Sequence, residues 1–194
     1  KPSLDQEEQL QLQEQKESLS NLEKALEEQQ KEQDLIRELS QEQIEKDSRS
    51  FNDKRKLDQA VKNQQKKEQE IRRQLDRMEK QLDKSLNQED PTKAKLKERL
   101  KETAAESKKN EELLKQIEEY QDKISKEELQ EQLEKSQKKT REQQRSLKQL
   151  LELTKRYYVA QKFEQLGRKL EELANKQEEQ SKKQNIENTQ EDQE

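Results

Sequence analysis

The sequence predicts an all-α chain of long helices, arranged as an elongated antiparallel helical hairpin or coiled coil, and three observations predict it. First, 45% of the 194 residues are charged and only 24% are hydrophobic, against roughly 45–50% apolar residues in an ordinary globular domain. Leu, Ile, Val and Phe supply 35 residues, under the rough 20% share below which chains tend to disorder. Second, 46 acids and 42 bases leave a net charge of only −4 with the signs interleaved, so self-repulsion does not hold the chain open. Third, there are one Gly and two Pro. Each costs about 1–3 kcal/mol inside a helix, and long helices exclude both.

Taken in order, Pro2 and Ser3 read as the start of a first helix near Leu4, with Ser3 and Gln6 at capping-box spacing. Leu12, Leu19, Leu22 and Leu26 keep heptad phase, and the next positions in phase are Gln29 and Gln33. The seam resumes at Ile36, then slips between Leu39 and Leu57. Asp47, Ser48, Ser50, Asn52 and Asp53 crowd the slip with short side chains that compete for backbone hydrogen bonds, so a bend or fraying is expected at 47–53. From Leu57 an alternation of four and three residues holds through Val61, Gln64, Glu68, Ile71, Leu75, Met78, Leu82 and Ser85. Gln64 and Glu68 in that seam read as weak, partly wet packing positions rather than ligands.

The sequence NQEDPT at 87–92 then breaks the helix, with Asp90 placed to cap a new one and Pro91 at its first position. Two arms, 1–86 and 93–184, around this turn suggest a hairpin folded about 89–90. That fold sets Leu82 near Leu96, Val61 near Ile117 and Leu19 near Ala160. The runner-up is a continuous rod in which Pro91 kinks a parallel dimer. In the second arm the helical face thins across 101–112, and Ser125 and Glu128 have capping-box spacing, marking a candidate break near 125. The tail 185–194 has one apolar residue and no period, and should fray.

The broadest apolar face lies in the second arm. Val159, Phe163, Leu166, Leu170 and Leu173 alternate by four and three, while Ala160, Gly167 and Ala174 recur every seven. The stripe is wide enough for a bundle contact, and its small residues admit a close partner backbone. Tyr157, Val159, Phe163, Leu166, Gly167, Leu170 and Leu173 are therefore the expected protein-interaction residues.

Chemistry is excluded more easily than it is found. Without Cys or His the chain lacks thiol nucleophiles, the commonest general base and the commonest zinc ligand. A single Gly leaves no phosphate loop. Abundant carboxylates need a desolvating pocket to become catalytic, and there is no surplus apolar surface to build one. The expectation is no enzyme, no cofactor, no metal and no small-molecule substrate. A basic cluster at 54–73 makes a nucleic-acid-binding rod the alternative function, but acids sit three or four residues from most of its bases and the net charge is negative. No apolar run approaches the roughly 18 residues of a membrane span. The chain opens on Lys1 rather than Met, which reads as a piece of a longer protein.

Within 127–181, the segment LLELTKRYYV followed by QKFEQLGRKLEELANKQEE resembles the long helical region of large, membrane-anchored coiled-coil proteins of Bacteroidota. The resemblance implies a parent with transmembrane helices near its start and a helical extension into the cell envelope, on the periplasmic side. It brings no activity to place on residues. The function it implies is a structural or scaffolding segment that associates with itself or with partner helices, or acts as a spacer; any contact with membrane would be through parts of the parent outside this sequence.

Overall fold

Where the sequence offers no breaker, helix runs on. The computed structural model describes residues 4–45, 50–84 and 91–191, which form α1 (Leu4–Glu45), α2 (Phe51–Lys84), α3 (Pro91–Tyr120) and α4 (Lys126–Glu191). No strand occurs among the described residues, and the all-α expectation holds. The chain divides into two units, Lys1–Thr154 and Lys155–Glu194.

In the first unit, α2 and α3 form the hairpin expected about 89–90. Lys101 Nζ lies 3.5 Å from Glu79 Oε1, Gln65 Nε2 donates to Glu118 Oε2 at 2.8 Å, and Lys54 Nζ reaches Asp122 Oδ1 at 3.2 Å. These pairs run antiparallel in the register that matches Val61 with Ile117. Residues 87–90, including the expected Asp90 cap, lie outside the described residues, but Pro91 is the first residue of α3 as expected.

The two-arm expectation needs correcting, because each arm is itself folded. Gln81 Nε2 donates to Ser18 Oγ at 2.9 Å and to the Glu14 carbonyl at 3.2 Å, and Asn63 Nδ2 approaches Glu32 Oε1 at 3.5 Å. α1 therefore lies antiparallel to α2, and the chain reverses between Glu45 and Phe51, where a bend or fraying is expected from the sequence. Asp47 and Ser48 fall outside the described residues. Ser50 opens the new helix, its Oγ accepting the Asp53 N–H at 3.1 Å. A short side chain thus caps the start of α2.

The second arm breaks where the capping box stands. Residues 121–125 form a turn, the Ser125 Oγ accepts the Glu128 N–H at 3.1 Å, and Glu128 Oε2 accepts the Ser125 N–H at 2.9 Å. Two N-terminal donors are satisfied reciprocally. Ser125→Ala should lower the stability of the first unit by about 1 kcal/mol, measured as a shift of the urea midpoint at unchanged slope. Beyond it, α4 is helical to Glu191, past the start of the expected fraying at 185, with no Gly or Pro after Gly167 to end it.

The early part of α4 closes a four-helix, up-down-up-down bundle. Gln29 Nε2 donates to Gln143 Oε1 at 3.2 Å, and Gln33 Nε2 donates to the Gln137 carbonyl at 2.8 Å, so α4 runs antiparallel to α1. With three reversals instead of one, Leu19 comes near the level of Glu152 rather than that of Ala160. Each helix buries one heptad seam. In α3 it runs through Leu96, Leu100, Thr103, Ser107, Asn110 and Leu114, and in α4 through Leu129, Leu133, Ser136, Thr140, Gln143 and Leu147. Toward one end, Ile36, Leu57, Val61, Leu114, Ile117 and Leu133 share an apolar cluster. Toward the other, Leu22, Ile71, Met78, Leu82, Leu96 and Leu100 are buried.

Candidate functional site: a buried carboxylate and an uncovered helix face

Between the two apolar stretches every seam turns polar, and the polar residues meet. Gln29 of α1, Glu68 of α2, Ser107 of α3 and Gln143 of α4 are all at most 1% exposed. Glu68 Oε1 accepts from Gln29 Nε2, and its Oε2 accepts from Ser107 Oγ and Gln143 Nε2, each at 2.8 Å. Asn110 Nδ2 donates to Gln143 Oε1 at 2.6 Å and orients the amide that faces the carboxylate. Burial pushes the Glu68 carboxyl above its ordinary range, and the donors from Gln143, Ser107 and Gln29 pull only partly the other way.

This layer corrects the reading of Glu68 and Gln64 as partly wet. Both are sealed from bulk solvent, at 0% and 1% exposure, because the other three helices bring polar groups to the same level. A signal for it was present in the sequence. The α1 seam passes through Gln29 and Gln33, and the apparent thinning of α3 across 101–112 is the same seam carried by Thr103, Ser107 and Asn110.

A second carboxylate has the opposite electrostatics. Glu111 is 5% exposed, and its oxygens receive Arg72 Nη1 at 2.7 Å, Gln69 Nε2 at 2.7 Å and Lys115 Nζ at 3.2 Å. Burial pushes its carboxyl up, but these donors outweigh burial and hold it below the usual range. Within the basic cluster at 54–73, Lys62 is paired with Asp58 and Glu118, Lys67 with Glu28 and Glu70, and Arg72 with Glu111. Among the described residues, no group of three acidic side chains is arranged to hold a metal ion, and no helix is long and apolar enough to cross a membrane.

The second unit holds the expected interaction residues. Phe163 is 71% exposed, Leu170 67% and Leu173 62%, and Val159 and Leu166 are also exposed. A Cβ built on Gly167 would meet nothing within 4 Å. Tyr157 does not belong with them: it is buried, at 3% exposure, and its hydroxyl accepts from Gln161 Nε2 at 2.8 Å. The reason is helical phase. Tyr157 follows Leu147, Leu150 and Thr154 in the seam of α4, whereas Val159, two residues on, lies about 200° around the helix. Tyr158 is buried beside it, the two rings 6.0 Å apart and tilted by 53°.

Compared with known protein families, with curated proteins and with solved structures, the chain matches none.

Proposed function

We propose that the chain is a non-enzymatic scaffold or spacer segment of a larger, membrane-anchored protein of the cell envelope, of the Bacteroidota coiled-coil kind it resembles at 127–181. It works on the periplasmic side by helix–helix association. The observation that carries this reading is the stripe of five large apolar side chains on α4, Val159 to Leu173, left in solvent. On a chain with so few apolar residues, five aligned on one uncovered face favour a contact surface over chance. Glu68 supports the absence of catalysis, since this carboxylate, raised by burial, is enclosed and engaged by three donors. The nucleic-acid alternative has less to stand on, because Lys62, Lys67 and Arg72 already face carboxylates.

Replacing Phe163 with the photo-reactive amino acid benzoylphenylalanine tests the reading in cells. Irradiation should join α4 covalently to a protein, seen as a discrete band of higher mass on a denaturing gel. Only solvent-quenched, uncrosslinked chain would remove the support for a docking role.

A further inference from the structure

The uncovered face of α4 is flanked by unequal edges. Along one side of the seam Lys162, Lys169 and Lys176 recur every seven residues; along the other stand Ala160, Gly167 and Ala174. Just beyond the small residues, Glu164, Glu171 and Glu178 form an acidic column. Beyond the lysines stand Gln165, Glu172 and Glu179, so read outward from the seam one edge is basic and then partly acidic, and the other is small and then acidic.

These edges decide which copy of a helix can lie on the face. In a parallel pair of identical helices, the residues before each seam turn face those after it on the partner. Each lysine then crosses a residue with little or no side chain and reaches toward the partner's glutamate column. In an antiparallel pair like edges meet, placing lysine against lysine over three heptads, an unfavourable arrangement. The seam agrees with the edges. Parallel and in register, Val159, Phe163, Leu166, Leu170 and Leu173 each meet their own kind, and Gln177 and Gln180 continue in phase as amide layers. Antiparallel alignment about Leu166 and Leu170 sets Val159 against Gln177 instead. The exposed apolar side chains amount to on the order of 500 Å² per copy, and about 1,000 Å² for two meets the threshold for a biological interface of the weaker kind.

We propose that the 159–180 face of α4 pairs with the same face of a second copy of this chain, parallel and in register. The inference rests on the docking role proposed above and names its occupant. The full 194-residue chain provides the test. Light scattering should give twice the 23.4 kDa chain mass, and Phe163→Asp should return the mass to that of a single chain with helical circular dichroism unchanged. The chain has no cysteine, so Gln177→Cys introduces one thiol. Under mild oxidation it should form an interchain disulfide. Antiparallel pairing would hold the two positions about 27 Å apart by helical rise, far beyond the roughly 7 Å that a disulfide spans. A single-chain mass at the highest soluble concentration would overturn the proposal, and so would a dimer that Gln177→Cys fails to cross-link. If the chain stays single while Phe163 cross-links to a different protein in cells, self-pairing fails and the docking role stands.

Discussion

Replacing Glu68 with alanine is expected to destabilise the four-helix unit by about 3 kcal/mol or more, given about 1–3 kcal/mol for each buried group left without its partner. Gln143 Nε2 would lose its acceptor at 2.8 Å, Gln29 Nε2 would keep only Gln143 Oε1 at 3.2 Å, and Ser107 Oγ would fall back on the residue-68 carbonyl at 2.8 Å. Glu68→Gln should cost far less, because it keeps the shape and removes the charge that burial disfavours. The two variants also separate by pH. Since the folded-state carboxyl of Glu68 is raised, the folded chain holds this proton more tightly than the unfolded one. Its contribution is fully present below the unfolded value and is lost as pH rises through the folded value. Glu111 is lowered, so its contribution is present above the unfolded value and is lost as pH falls through the folded one. Urea titrations across the acid range should show wild type carrying both trends and Glu68→Gln only the acid loss. A Glu68→Gln profile that overlays wild type would contradict this account.

Leu133→Ala is the second large effect, expected to cost about 2–5 kcal/mol as a buried leucine truncation. Leu133 is 1% exposed and shares its cluster with Ile36 of α1, Val61 of α2 and Leu114 of α3. The loss should therefore appear in all four helices. Hydrogen exchange should rise in α1, distant in sequence from Leu133, along with α4. Unchanged exchange in α1 would mean that α4 does not complete the bundle.

Much of this fold was legible in the sequence. The heptad of α2, the Pro91 start, the Ser125–Glu128 cap and the α2–α3 register follow from local residues whose geometry is fixed by one or two neighbours. The reversal between Glu45 and Phe51 was half legible: short polar side chains mark a stop, but they do not say whether the chain bends or turns back. That depends on whether α1 has a seam to offer α2, and Gln29 and Gln33 made its seam look interrupted. A glutamine in heptad phase is ambiguous alone, and becomes core only when another helix supplies a carboxylate at the same height. For the same reason Glu68 looked wet. On α4, the exposed face is legible from spacing, but Tyr157 adjoins it in sequence and not in phase; 157 continues 150 and 154, and 159 begins a new stripe.

The central polar layer also bears on how the first unit would carry load. Leucine seams alone are nearly indifferent to a shift of one heptad, since one leucine replaces another. Here, such a shift of α1 or α3 would replace Gln29 or Ser107 with leucine or isoleucine and turn part of the carboxylate toward hydrocarbon. Under tension along its helices, the unit should therefore hold at one setting and yield abruptly, like a detent, rather than creep.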